Sequence, residues 1–331
     1  MHWTTPGYEK LELSTQLVIK EALRRGHAVD VLDAASCFIR IRGNGRTEYL
    51  RQATRTSADA YVSPLIMENK KVTKLLLREA GIRVPDGREY TQAGALRADF
   101  PFWKERDAVV KPNSTNFGIA VTLLPAPIAE GDYVQAAEAA FREDGMVLVE
   151  ELIHGQEYRF LVIGDEVRAV LHRVPAHVTG DGQRTIAELI REKNADPLRG
   201  KGYTSPLEKI RMGGEEEDHL RGQGLSFQSV PAAGTDVSLR KNSNISTGGD
   251  SLDFTDEIHP GYRDLAVASA AAVRARISGV DMMIEDYRAE PSRDNYGVIE
   301  MNFNPALHIH DFPYRGRNRE VEKHVLDLVG L

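Results

Sequence analysis

The stretch VIEMNFNPALHIH, Val298 to His310, restricts the architecture more than any other part of the chain. Val298, Met301 and Phe303 are apolar, whereas Glu300, Asn302 and Asn304 recur at every second position. Successive side chains on a strand point to opposite faces, so a carboxylate and two carboxamides line one face together. The preceding stretch VDMMIEDY carries Asp281 and reads as a neighbouring strand. Paired strands lie roughly 5 Å apart, which lets Asp281 and Glu300 share a hard cation with a carboxamide oxygen from Asn302. From spacing alone, a solvated polar sheet face explains the pattern equally well.

The remainder reads as an α+β chain. LSTQLVIKEALRRG has helical spacing and stops at Gly26, HAVDVLD is strand-like, and CFIRIRGNGRTEYL predicts a hairpin turning at Gly43-Asn44-Gly45. MENKKVTKLLLREAG predicts a helix ending at Gly81, and Pro85 marks a boundary. Residues 102–164 alternate strand, glycine-bearing loop, strand, helix and strands. From Asp181 to Gly249 the chain is rich in Gly and charge, which predicts lids or loops around one helix, RTIAELIREKN. A helix (YRDLAVASAAAVRARI), the two strands above and a closing helix in RNREVEKHVLDLVG complete it.

Several residues stand where chemistry could use them. Lys111 ends an apolar strand ahead of the polar loop PNSTNFG, a setting that suits phosphates but lacks the Walker spacing. A solvated strand-end lysine is the plainer account, as a surface position is for helical Lys74. In VLVEELIHGQEYRF the strand ends in Glu150 and Glu151, then turns at Gly155. Backbone groups of that linker could meet an adenine edge and Glu157 ribose hydroxyls; a charged hairpin tip is the alternative. LRKNSNISTGGDS gathers Arg240, Asn242, Ser246, Thr247, Gly248 and Gly249. It is either a mobile surface loop or a cradle for an anionic substrate.

A net charge of −7 gives no general reason to expect nucleic acid as a partner. The single cysteine, Cys37, lies among apolar residues and forms no intrachain disulfide, which fits a reducing compartment. No run approaches the roughly 20 apolar residues of a membrane span. A cytoplasmic protein without a membrane partner is the expectation.

The order of these elements resembles the ATP-grasp ligases, among them D-alanine–D-alanine ligase and cyanophycin synthetase. The wording resembles most the C-terminal ligase module of bifunctional bacterial glutathione-biosynthesis proteins, through LELSTQLVIKEALRRG, LIMENKKVTKLLLREAGIRVP, VVKPNSTNFGIAV, RVPAHVTGDGQRTIAELI, LRKNSNISTGGDSLDFTD and EMNFNPALHIHDFPYRGRNR. These segments spread over nearly the whole chain. RVPAHVTGDG and the STGG loop are shared with cyanophycin synthetase and mark the subgroup, not the substrate.

The resemblance implies ATP held between two α+β subdomains, preceded by a small α/β N-terminal subdomain. The expected limits are residues 1–66, 67–157 and 158–331. It implies that Lys74, Lys111 and Arg173 contact ATP phosphates, Glu150, Glu151 and Ile153 the adenine, and Glu157 the ribose. Asp281, Glu300 and Asn302 would bind two magnesium ions, with manganese as an alternative. Asn242, Ser246, Thr247, Gly248, Gly249 and Asn304 would line the substrate site. The implied reaction joins a carboxylate to an amine through an acyl phosphate, with γ-glutamylcysteine and glycine as first choice. The alternatives are a free-standing ligase for another amino acid or peptide, and a non-catalytic ATP-binding module. The partners are small-molecule or short-peptide substrates, and a homodimer is allowed.

Two departures bear on the chemistry. D-alanine–D-alanine ligases carry an arginine two residues before the magnesium aspartate, where this chain has Gly279, so Arg240 is expected to supply that charge beside Lys111. Asn69 replaces an aspartate common before the lysine pair. The glutamate–cysteine ligase module of the bifunctional proteins is absent, which fits either a free-standing enzyme or a fragment of a longer chain.

Overall fold

The computed structural model describes residues 3–115 and 118–331. Asn116 and Phe117 of the predicted phosphate loop lie outside the described residues, as do Met1 and His2. The chain opens with helix α1 (Leu13–Arg24) and three antiparallel strands, β1 (Ala28–Asp33), β2 (Phe38–Gly43) and β3 (Arg46–Arg51). Asn44 and Gly45 join β2 to β3 with φ of 51° and 70°, the left-handed pair that a tight hairpin requires.

The predicted second helix is two helices, α2 (Val62–Glu68) and α3 (Lys70–Glu79). The break falls at Asn69, whose side chain accepts from Val72 N at 3.1 Å and caps α3. Next come β4 (Gly87–Tyr90), β5 (Ala108–Pro112), β6 (Thr122–Leu124), α4 (Glu130–Glu143) and β7 (Val147–Glu151). They form an antiparallel sheet of order β4-β7-β5-β6. Its apolar side buries Trp103, Val110, Val149 and the small face of α4, Ala136, Ala137 and Ala140.

The central sheet starts with β8 (Gln156–Ile163) and β9 (Glu166–Val174). An insert follows, with β10 (His177–Thr179), α5 (Ile186–Lys193), α6 (Gly214–Gly222) and β11 (Asp236–Ser238). Thr185 and Glu188 close a capping box on α5. The region expected to be mostly loop therefore folds on its own apolar cluster, which includes Val178, Ile186, Ile190, Leu220 and Val237. Short helices and short strands sufficed to bury it, so no long apolar run was needed. At its base the buried Asp250 carboxylate takes Lys193 Nζ at 2.7 Å and also pairs with Arg199.

After the insert, β12 (Asp250–Asp253), α7 (Pro260–Ala272), β13 (Ile277–Ile284), β14 (Tyr296–Asn302) and α8 (Glu322–Val329) complete the chain. The central sheet has the order β12-β9-β8-β13-β14 and is antiparallel throughout. One face packs Tyr158, Phe160, Val280 and Met282 against α7 and α3. The other packs Leu161, Ile163 and Ile277 against α1 and α8, and the same face bears the polar residues described next.

Candidate active site

Strict alternation would put Val298 on the same side as Glu300. The register prevents this: Glu300 pairs with Asp281, Val298 pairs with Met282, and Ile299 is the extra residue of a β-bulge. Asp281 and Met282 are chain neighbours and point to opposite faces. Val298 therefore joins Met282 in the core, while Glu300 joins Asp281 on the other face, a re-aiming that bulges commonly provide beside functional sites. Asn302 follows on that face opposite Gly279.

Asp281 is fully buried, and its partner across β8 is Arg159. Arg159 Nε donates to Oδ1 and Nη2 to Oδ2, each at 2.6 Å, a bidentate fork. Arg173 Nη2 donates to Asp281 Oδ2 at 3.1 Å, and Asn302 Nδ2 donates to it at 3.2 Å. Burial alone would raise the Asp281 carboxyl, but Arg159 and then Arg173 overcome it and hold it below its ordinary value. Arg173 also pairs with Glu157, whose second oxygen accepts from Ser243 Oγ. Gly279 leaves room here: a Cβ would lie 3.5 Å from Arg159 Cδ. The arginine beside Asp281 thus comes from the adjacent strand β8. Sequence reasoning missed Arg159, since its register to Asp281 is not written locally.

A second cluster joins α3 to the other sheet. Lys111 on β5 reaches Glu150 Oε2 on β7 at 2.8 Å, and Lys74 on α3 pairs with Glu150 Oε1. All three are buried. With two ammonium groups and one carboxylate, Lys74 is the group that yields: burial and then the Lys111 charge push it down to about 7. Burial also works against Lys111, but Glu150 outweighs it and the shift is upward. Burial would raise Glu150, yet the two lysines hold it down to about 2. Lys70, not singled out in the sequence, places Nζ 3.6 Å from Glu300 Oε1 and also donates to Asn113 O and Thr115 O. It ties α3 and the phosphate-type loop to the Glu300 strand.

The remaining predicted residues fall as follows. Glu151 accepts from Arg83 Nη1 at 2.6 Å and from Asp86 N at 2.8 Å. Ile153 lies against Gly297, where a Cβ would be 2.1 Å from Ile153 Cδ1. Thr247 Oγ1 donates to Asn242 Oδ1 at 3.0 Å, and Ser246 meets the Tyr203 phenol. Gly248 adopts φ 95°, and a Cβ there would stand 2.6 Å from Ile210 Cα, so the glycine is required for the packing. A Cβ on Gly249 would crowd Val174 O at 2.8 Å. A Cβ on Gly118 would meet Asn244 Nδ2 at 3.4 Å, which brings the loop after Lys111 to this polar run. Asn304 accepts from Thr54 Oγ1 at 2.8 Å and donates to Gln52 Oε1 at 3.3 Å. Arg240 is not brought to this group; it pairs with Glu215 and, at 2.5 Å, with Glu216 on α6.

Asp281, Glu300 and Asn302 offer the hard oxygen donors that magnesium prefers. Among the described residues Glu300 has no closer ion-pair partner than Lys70 at 3.6 Å, which suits its oxygens to a cation. Asp281 fits by chemistry and position, but both its oxygens are taken by arginine and must be released first. Among the described residues no group of three His, Cys, Asp or Glu encloses a metal site.

Comparison with known proteins finds relatives in sequence and fold. Residues 9–62 match the family model of an ATP-grasp-like domain. The chain is 53% identical over 323 residues to the glutathione biosynthesis bifunctional protein GshAB of Clostridium perfringens, covering 98% of this chain and 42% of that protein. It is 46% identical over 324 residues to GshAB of Desulfotalea psychrophila, again covering 98% of this chain and 42% of the relative. A crystal structure of a bifunctional glutathione synthetase from Pasteurella multocida matches with a TM-score of 0.76 and 42% identity, over 99% of this chain and 45% of that one. The chain therefore spans less than half the length of the relatives it matches. No helix among the described residues is long and apolar enough to cross a membrane.

Proposed function

The chain belongs to the ATP-grasp proteins, and from that premise we propose that it is an ATP-dependent ligase that joins γ-glutamylcysteine to glycine. One observation carries the ligase reading: the buried Lys74–Glu150–Lys111 cluster lies beside a strand pair that presents Asp281, Glu300 and Asn302 on one face. The choice of substrates rests on the GshAB relatives.

Lys111, Lys74 and Lys70 receive the ATP phosphates, and Glu150 positions the first two until they do. Glu151 and Ile153 carry the linker whose backbone meets adenine. Glu157 takes the ribose on releasing Ser243. Glu300, Asn302 and Asp281 would hold magnesium, which would neutralise phosphate charge. Arg173 contacts the phosphates. Arg159, closer to this centre than Arg240, faces the acyl phosphate once Asp281 is released. The donor carboxylate oxygen attacks the γ-phosphorus and ADP leaves. The neutral amine then attacks the acyl carbon, phosphate departs, and the amine proton passes to solvent or phosphate. Positioning and charge neutralisation supply the rate, and no nucleophilic side chain is required. Asn242, Ser246, Thr247, Gly248 and Gly249 form the substrate-facing loop, which excludes water from the acyl phosphate.

ADP release should rise only when γ-glutamylcysteine and glycine are present together, with the tripeptide seen by mass spectrometry. Tight ATP binding without turnover for any carboxylate and amine pair would instead identify a non-catalytic module. Proton linkage offers a separate check. Lys74 is held down to about 7 in the free chain, so it is mostly neutral at pH 8, and phosphate beside it restores the charge. ATP binding at pH 8 is expected to take up about one proton, and close to none at pH 6. Calorimetry in buffers of different ionisation enthalpy reads this directly; proton release at pH 8 would contradict the assignment of Lys74.

A further inference from the structure

Among the described residues, Arg55 is a guanidinium in no direct ion pair, although Glu68 and Glu12 act on it from a distance. It closes a tight turn after β3, in which Arg51 N donates to Arg55 O at 3.0 Å and Arg55 N to Arg51 O at 3.2 Å. Inside the turn Gln52 and Ala53 have φ of 51° and 63°, left-handed backbone that residues with a Cβ rarely adopt. Strain of this kind persists where surrounding contacts enforce it, and it concentrates at ligand sites. Here Asn304, two residues beyond Asn302, enforces it through its bonds to Thr54 and Gln52. The Arg55 guanidinium carbon lies 4.8 Å from the centre of the Phe303 ring, between those two asparagines in sequence.

Arg55 is partly buried, its Nε has no hydrogen-bond partner, and no carboxylate among the described residues forms an ion pair with it. Burial and the like charge of Arg51 weigh against the guanidinium more than the more distant Glu68 and Glu12 support it. A guanidinium with an unpartnered Nε, held beside a strained turn, suits a carboxylate ligand. The side chain also lines a surface cleft of about 520 Å³ with Thr47, Tyr49 and Thr56, so a ligand can reach it from solvent.

A carboxylate of the protein flanks the same turn. Glu12, at the start of α1, accepts from Gln52 Nε2 at 3.2 Å. The next residue, Leu13, donates its N–H to Tyr203 O at 2.9 Å, and the Tyr203 phenol meets Ser246 of the insert's polar loop. The N-terminal turn, the end of the Glu300 strand and the insert's polar loop are thus linked through Glu12, Gln52 and Asn304.

We infer that Arg55 and Glu12 bind the two charges of an α-amino acid group, Arg55 the carboxylate and Glu12 the ammonium. The reacting amine cannot be that ammonium. A carboxylate beside an amine favours its charged form, whereas attack requires the neutral one. The matching ligand is a zwitterion that stays charged throughout turnover, and the γ-glutamyl end of the donor dipeptide is such a group. This inference rests on the ligase reading above.

Three donors separate the charges: γ-glutamylcysteine, 4-aminobutyrylcysteine without the α-carboxylate, and glutarylcysteine without the α-ammonium. Arg55→Ala should raise KM for γ-glutamylcysteine about tenfold or more, with kcat little changed. It should leave KM for 4-aminobutyrylcysteine unchanged, and Arg55→Lys should recover part of the loss. Glu12→Gln should raise KM for γ-glutamylcysteine but not for glutarylcysteine. Equal KM changes for donors with and without the cognate charge, or none at all, overturn the inference while leaving the ligase reading intact. Failure of the unmutated chain to turn over γ-glutamylcysteine overturns both. Circular dichroism and thermal melting establish that each variant folds.

Discussion

Replacing Glu150 with alanine is expected to destabilise the fold by about 3–5 kcal/mol, because it strands two buried ammonium groups without their shared carboxylate. Thermal unfolding should move down by roughly 4–7 °C. The pH dependence identifies the cause. Glu150 is held down to about 2 in the folded chain against an ordinary 4.5. Its depressed value contributes stability above 4.5 that disappears as the pH falls towards 2. The gap between wild type and variant should therefore be widest near neutrality and narrow in acid. It should begin to narrow above pH 7, where Lys74 loses its charge, and narrow further in strong alkali, where Lys111 follows. A loss that stays constant from pH 7 to pH 3 would point to a packing defect. Glu150→Gln keeps the shape and removes the charge, so it should resemble alanine in stability. ATP affinity should fall in both variants, since Lys74 and Lys111 are no longer held together.

Glu300→Ala is expected to do the reverse, leaving stability nearly untouched and removing turnover. The Glu300 side chain is 29% exposed, and its ion pair is the 3.6 Å approach of Lys70. Lys70 is buried, but it keeps its bonds to Asn113 O and Thr115 O when this long ion pair is lost, so melting should shift by only a few degrees. In its proposed role as a ligand for the cations that neutralise the transferred phosphoryl group, Glu300 would support several kcal/mol of transition-state stabilisation. Turnover should fall by about a thousandfold or more. Magnesium titration of the ATP complex, followed by calorimetry, should show weakened binding in the same variant. Full activity in Glu300→Ala would sink the metal assignment; lost activity with unchanged magnesium affinity would move Glu300 to another role.

The sequence carried those features that are local or periodic. The polar alternation of Glu300 and Asn302, the strand neighbouring it through Asp281 and the hairpin at Asn44-Gly45 are all visible in composition and spacing. The bulge at Ile299 was not, because an extra residue declares itself only through the register of the partner strand. Arg159 escaped for the same reason: it sits 122 residues from Asp281 and meets it only across β8 and β13. Adjacent acids looked equivalent, yet Glu150 turns inwards to two lysines and Glu151 outwards to Arg83. Successive residues on a strand must part in this way, but which one faces in depends on the layer above. The insert looked like loop since its core is assembled from single residues on short elements.

That insert has a wider consequence. It owns its apolar cluster and is moored to the central sheet through Asp250, while the metal-facing strands belong to another core. Nature or a designer can therefore treat it as an exchangeable cartridge. Recombination between Val174 and Asp250 would exchange the insert and its polar loop as one unit and leave the central sheet with Asp281, Glu300 and Asn302 in place.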